Sequence, residues 1–417
     1  MKRLNGLAIA AAAVLVACER TPSQPAQLIS AASFNNFDAI SGSAQCAAPP
    51  STAAGFTTYE PFVLPAGYSQ RILATQGADF APVAGSGGDL PDMNTLNETG
   101  PSAGRFLYRT HEVGSNGAVT VTDLVTGVTS LAVQQSHYER LDGIVWSPWQ
   151  TVLFAEEAVN ASRRDPAFPN ALRGLVYEYD PATGVAVARP AVGARSHEGL
   201  RFDPQGNLYG ISESTQGING SGAIYKFVPN RRGDLTSGQL YALKVLAASR
   251  TGAAVWVPLD GALSEIDSDQ SALNAGATGW GRPEDVEIGM STGSTPGGLI
   301  MYVAVTSENL VLKIELSGDE AFVTNYVQNV AGFSDPDNLA LDAQGNLFIT
   351  EDNGPGDIWV ARAGEGGAIE RFASLSDCAA EPTGIYFDRG AHVLYVNVQH
   401  AGGPLSNDLL VAVAPSN

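Results

Sequence analysis

Positive charge is scarce in this chain. Its 417 residues carry 23 Lys and Arg against 43 Asp and Glu, a formal charge of −20. That balance excludes a nucleic-acid partner, whose phosphates attract the opposite sign. It suits a cationic partner, a site for several divalent metal ions, or simply the solvated acidic surface of an exported protein. Cysteine is scarcer still, with three residues and no CxxC pair. A GxSxG elbow and a P-loop are missing. His111, His137, His197, His392 and His400 show no HExxH spacing, so they are expected to serve as ordinary hydrogen-bonding residues. Helical periodicity is absent from every long stretch after the N-terminus.

What is present begins with "MKRLNGLAIAAAAVLVAC": a basic start, a short apolar run, and small residues before Cys18. The run is too short for a permanent membrane helix and reads as an export signal over residues 1–17. "LVAC" resembles a bacterial lipobox, in which Cys18 becomes the lipid-bearing N-terminus. An ordinary secretory signal with a spare cysteine is the alternative. Glu19 follows in place of the Asp of inner-membrane retention. The expected location is the outer membrane, periplasmic or surface-exposed, with membrane contact through the lipid anchor alone. Residues 18–54, rich in Ala, Ser, Pro and Gln, read as the lipidated cysteine and a flexible tether. Cys46 and Cys378 then suggest one disulfide across the two ends of the folded region, or else two unpaired thiols.

The folded part repeats. "PDMN" at Pro91, "LDGI" at Leu141, "HEGL" at His197, "PEDV" at Pro283, "PDNL" at Pro336 and "PTGI" at Pro382 each precede an alternating apolar segment, a turn and a second apolar segment. Further β-branched and aromatic strands lie between them, such as "GAIYKFVPN" from Gly222. The spacing, about fifty residues, is that of a four-stranded blade. The expectation is an all-β, six-bladed β-propeller over residues 55–417 as a single domain, with an extra excursion at about 230–281 that covers one face.

Residues just before the innermost strand of each blade converge on one end of the axis. The first acids of the units are Asp92, Asp142, Glu198, Glu284 and Asp337; Thr383 breaks the series, with Glu381 close by. A second set ends the next strand: Glu112, Glu156 with Glu157, Glu213, Glu308, and Glu351 with Asp352. A hairpin brings both sets to the same mouth. Crowded carboxylates repel unless cations offset them, and an oxygen-rich site favours calcium. Each acid taken singly also fits a turn-forming role. Glu287 has the opposite strand parity to Glu284 and is expected to face away.

The motifs "RTHEVG" from Arg109, "SPWQTVLFAEE" from Ser147, "HEGL" from His197, "GRPEDVEI" from Gly281, "DPDNLALDAQGNL" from Asp335 and "LYVNVQHAGG" from Leu394 resemble, in that order, the PhoX-type alkaline phosphatases. The resemblance covers roughly Pro61 to Gly403. It implies an exported propeller phosphomonoesterase with an iron–calcium cluster. Glu112, Glu198 and Glu284 would be metal ligands, with Asp337, Glu156 and Glu157 as further candidates and Asp142, Glu213 and Glu351 from the repeat pattern. Arg282 would bind the substrate phosphate, for which a guanidinium fork is suited. In one respect the chain departs from the family. The family's iron-ligand cysteine, expected shortly before "SPWQT", is missing, and Asp142 stands in that neighbourhood. Thiolate ligation of iron is excluded there; calcium is untouched by the loss, and iron stays open.

Three functions follow from this pattern. The first is a metal-dependent phosphomonoester hydrolase acting on a small-molecule phosphoester. The second is a non-catalytic, calcium-stabilised binding or scaffold propeller. The third is a propeller lactonase using one channel calcium. A monomer is the default expectation.

Overall fold

In the computed structural model, the described residues are 34, 37–41, 60–77, 89–215, 221–290, 298–388, 393–401 and 407–416. They form five antiparallel sheets. Two run in plain sequence order: Pro91–Leu96, Phe106–His111, Ala118–Asp123 and Val128–Gln134, then Leu141–Trp146, Val152–Glu156, Val176–Asp180 and Val185–Ala188. The nine-stranded sheet contains two more such meanders, starting at His197–Phe202 and Pro283–Met290, joined edge to edge through Gly252–Pro258. The fourth starts at Pro336–Leu341 and takes Phe62–Val63 onto its outer edge. The last comprises Glu381–Phe387, Leu394–Gln399 and Leu409–Pro415, and its outermost strand is Tyr68–Thr75 from the other end of the chain.

The first strands of these meanders pack each on the next, and Glu381–Phe387 packs back on Pro91–Leu96. The arrangement is therefore all-β and propeller-like, with the repeated hairpins innermost. Apolar residues fill the spaces between adjacent sheets. One such cluster joins Leu141, Phe154 and Tyr177 to Met93 and Val119; another joins Trp256 and Trp280 to Met301 and Leu312. Alternation along each strand supplies one side chain to each neighbouring sheet, which is why both faces of the strands read as apolar.

Close packing of inner strands explains the glycine that follows the acid in "LDGI" and "HEGL". A Cβ on Gly143 would lie 1.9 Å from the Glu198 carbonyl oxygen, and one on Gly199 would lie 1.8 Å from Asp285 Oδ1. Where the third residue is polar, it reaches across to the next sheet instead. Asp285 Oδ2 accepts from Leu339 N at 2.9 Å, and Asn338 Oδ1 accepts from Thr383 Oγ1 at 2.8 Å.

The excursion expected at about 230–281 is shorter than its sequence suggests. Asp234–Val245 is the fourth strand of the third meander, and Gly252–Pro258 is the bridging strand. Only the following segment is helical, as Gly261–Ser264 and Ser268–Ala275. Asp260 and Asp267 cap these helices by accepting from Leu263 N and Gln270 N, both at 3.0 Å. Buried Asp269 then fixes the pair to the body, accepting from Tyr225 Oη at 2.7 Å and Ser212 Oγ at 3.0 Å.

Two residues within the expected tether belong to the body. Phe34 is buried against Tyr68, Phe348, Phe372 and Phe387, with ring centroids 5.0–5.7 Å away. Phe37 lies under the Arg362 guanidinium at 4.5 Å. Cys378 is disulfide-bonded; Cys46, its expected partner, and Cys18 lie outside the described residues, as does the signal segment.

Candidate metal and substrate site

A single backbone irregularity recurs at the start of every inner strand. Leu141 pairs with Glu156 and Ile144 with Phe154, so three steps on the inner strand match two on its neighbour. The same one-residue excess separates Pro91 from Asn94, His197 from Leu200, Pro283 from Val286, Pro336 from Leu339 and Thr383 from Tyr386. These are β-bulges, which re-aim a side chain out of the ordinary alternation. In all but the last, the residue just past the paired one is the acid: Asp92, Asp142, Glu198, Glu284 and Asp337.

The residue before each inner strand forms a lip. Leu90, Arg140, Arg282 and Asp335 there have φ of +40, +45, +50 and +49°, a conformation uncommon for side chains of this size. Lip carbonyls accept from the residue that ends the next strand: Glu112 N to Leu90 O at 2.9 Å, Glu157 N to Arg140 O at 2.8 Å, Glu213 N to Ser196 O at 3.1 Å, Thr306 N to Arg282 O at 2.9 Å and Asp352 N to Asp335 O at 2.8 Å. This bond turns the side chains of Glu112, Glu157, Glu213 and Asp352 toward the bulge acids.

The two tiers meet. Asp92 is within hydrogen-bonding reach of Asp142, Asp142 of Glu198, Glu112 of Glu157, and Glu157 of Glu213. Thr383 closes the first tier by donating to Asp92 Oδ1 at 2.7 Å. Glu381, left aside in the sequence pattern, reaches Asp352 and His400. Burial first, and neighbouring carboxylates second, push these acids up. Asp92 rises to about 7, Glu381 to about 10 and Glu157 to about 11. Asp142, Glu198, Glu284 and Asp337 rise well above the carboxylate range for the same reasons. In water alone such a ring must hold protons; a cation is the other way to make it stable.

The donor set fits a hard divalent cation. Oxygens of Glu157, Glu198 and Glu213 lie within 4.8 Å of one another. Buried Asp142 Oδ1 has no hydrogen-bond partner among the described residues, an orphan that a cation would satisfy. Arg282 stands over this group. Its guanidinium is 2.6 Å from Glu213 Oε1, 2.9 Å from Glu284 Oε1 and 3.6 Å from Asp352 Oδ2.

Three of the acids expected here are elsewhere. Glu156 accepts from Glu139 N at 3.1 Å and Leu175 N at 3.0 Å, and Glu351 accepts from Ser334 N at 2.9 Å and Asp357 N at 3.3 Å. Both end a strand one residue before the lip bond, so they point between sheets while Glu157 and Asp352 point to the mouth. Glu308 binds Arg250 through both oxygens, at 2.8 and 2.6 Å, and accepts from Gly281 N; Thr306 occupies the matching lip bond. Glu287 faces away as expected and pairs with Arg201 at 3.0 Å. It lines a cavity of about 750 Å³ at the far ends of the inner strands. His111 bonds the Asp89 carbonyl and Thr120, and His197 the Gly193 carbonyl, as ordinary buried histidines. His392 lies outside the described residues.

No curated protein matches the chain. Among solved structures, a protein assigned as a gluconolactonase is 13% identical over 84% of this chain and 93% of its own, with a TM-score of 0.47. A virginiamycin B lyase from Staphylococcus aureus is 14% identical over 83% and 99%, at 0.47. The soluble aldose sugar dehydrogenase from Escherichia coli is 14% identical over 84% and 99%, at 0.46. At these identities and scores the likenesses leave the chemistry to be read from the site. The family that the chain resembles is the alkaline phosphatase PhoX family, whose model matches residues 145–315, the stretch that carries Glu157, Glu198, Glu213, Arg282 and Glu284.

Proposed function

We propose that this protein is a metal-dependent phosphomonoester hydrolase, working at one mouth of a six-bladed propeller and anchored at the outer membrane by lipid on Cys18. The closed cycle of inner strands, each beginning with the same bulge, supports the count of six. One observation carries the chemistry: carboxylates from separate meanders gather around an arginine, in the stretch that resembles a phosphatase family.

In this reading Asp142, Glu157, Glu198, Glu213, Glu284 and Asp337 hold the cations, with Asp92, Glu112 and Asp352 beside them. Calcium suits them, since no thiolate stands among the ring acids and the donors are oxygens. When bound, such ions supply Lewis-acid charge to a phosphoryl oxygen. Arg282 orients the phosphate and stabilises charge that grows on its oxygens, while Glu213 and Glu284 hold its guanidinium in place.

The loss of the family's cysteine supports the second reading, a calcium-stabilised propeller without catalysis. An assay of the purified protein on a chromogenic phosphomonoester and on lactones, with calcium, added iron or chelator, separates the readings. Phosphate release that vanishes in chelator and in Glu284→Ala supports the hydrolase. Lactone opening points to a lactonase instead. Silence on both, with melting raised by calcium, replaces the proposal with the non-catalytic propeller.

A further inference from the structure

The rim carries two guanidiniums at equivalent places. Arg140 directly precedes Leu141–Trp146 as Arg282 precedes Pro283–Met290. Both are held at positive φ, and both carbonyls accept the same backbone bond from the end of the next strand. They flank the meander between them, whose own lip residue is the small, buried Ser196. The Glu157–Glu198–Glu213 group thus has an arginine beside two of its members, Arg140 3.7 Å from Glu157 Oε1 and Arg282 2.6 Å from Glu213 Oε1.

Their surroundings differ. Arg282 has three carboxylates around it, Nε 2.6 Å from Glu213 and Nη2 2.9 and 3.6 Å from Glu284 and Asp352, which hold one edge of its guanidinium. The Arg140 side chain is 42% exposed and stands 3.7 Å from Glu157 Oε1, too far for a hydrogen bond. Among the described residues its guanidinium makes no hydrogen bond, which leaves it open to an incoming ligand.

We propose that Arg140 is a substrate-positioning residue, the second arm of a clamp that takes a phosphate dianion between Arg140 and Arg282 above the Glu157–Glu198–Glu213 group. The inference rests on the phosphatase reading. A guanidinium fork pairs with two phosphate oxygens at once, and a lysine in its place keeps the charge but not the fork. A residue that only grips the dianion changes substrate affinity more than the reacting step.

The test uses the full calcium-loaded protein, with inorganic phosphate as the probe for calorimetry and a chromogenic phosphomonoester for kinetics. Arg140→Ala is expected to weaken phosphate binding and raise KM by about tenfold or more, with a smaller fall in kcat, and Arg140→Lys to recover part of the loss. Wild-type phosphate affinity and KM in Arg140→Ala would overturn the inference while leaving the phosphatase reading in place. A rise in calcium affinity without any change in phosphate affinity would assign Arg140 to offsetting the Glu157 charge, and so also overturn it. A wild-type protein that neither cleaves the ester nor binds phosphate removes the phosphatase reading, and the clamp with it.

Discussion

Glu156 and Glu157 are neighbours with different tasks. The first satisfies two backbone N–H groups between sheets and the second joins the ring. Glu157→Gln is therefore expected to lower calcium affinity by about tenfold or more. Glu156→Gln should leave that affinity intact and cost about 1–2 kcal/mol of stability, through one weakened backbone acceptor. Calcium titration and urea unfolding of both variants check this; equal calcium affinities would remove Glu157 from the site. Gly143 gives a test of packing rather than of charge. Its hydrogen faces the Glu198 backbone, so Gly143→Ala should cost about 2–3 kcal/mol by pushing two inner strands apart. An unfolding midpoint equal to that of the wild type would show that the strands are not held so closely.

At the scale of elements, the chain closes its own ring from its N-terminal side. Tyr68–Thr75 completes the last sheet, Phe62–Val63 extends the one before it, and Phe34 enters the aromatic cluster between them. Removing the Phe34 ring should cost about 3 kcal/mol through the aromatic contacts it loses. Phe34→Ala is expected to lower the urea midpoint accordingly; an unchanged midpoint would show that the docking contributes nothing. The strand–turn–strand units were legible because two-residue alternation and Asp-x-x-Gly-Asn turns are local. The bridging strand Gly252–Pro258 was not. Its second partner, Glu320–Val327, is distant in sequence, and pairing of that kind leaves no local signature.

For the whole molecule, the ring of raised carboxyls fixes how stability depends on pH. A carboxyl whose pKa is higher folded than unfolded favours the fold when protonated. Its contribution is complete below the unfolded value and is lost as pH rises through the folded one. With Asp92 near about 7 and Glu381 near about 10, metal-free protein should melt at progressively lower temperature from about pH 5 to about pH 9. Calcium should restore most of that loss at the alkaline end, because it stabilises the ionised form. Thermal melts in chelator and in calcium across this range decide it; a flat chelator profile would mean that the ring is not the charge store described.

By itself the sequence determined the repeat, the strand character of its parts and the kinds of side chain at each turn, since these rest on local alternation and composition. It also marked Glu112, Asp142, Glu198, Glu213, Glu284 and Asp337 as acids meeting at one mouth, because a repeated unit puts its equivalent positions in equivalent places. Only the tertiary structure decided which member of Glu156–Glu157 and Glu351–Asp352 faces the axis, that Glu308 belongs to Arg250, and that Arg140 shares the rim with Arg282. Those outcomes depend on a one-residue bulge and on a lip residue at positive φ. Both are settled by how neighbouring strands pair and pack, and neither is written in the type of the residue that adopts it.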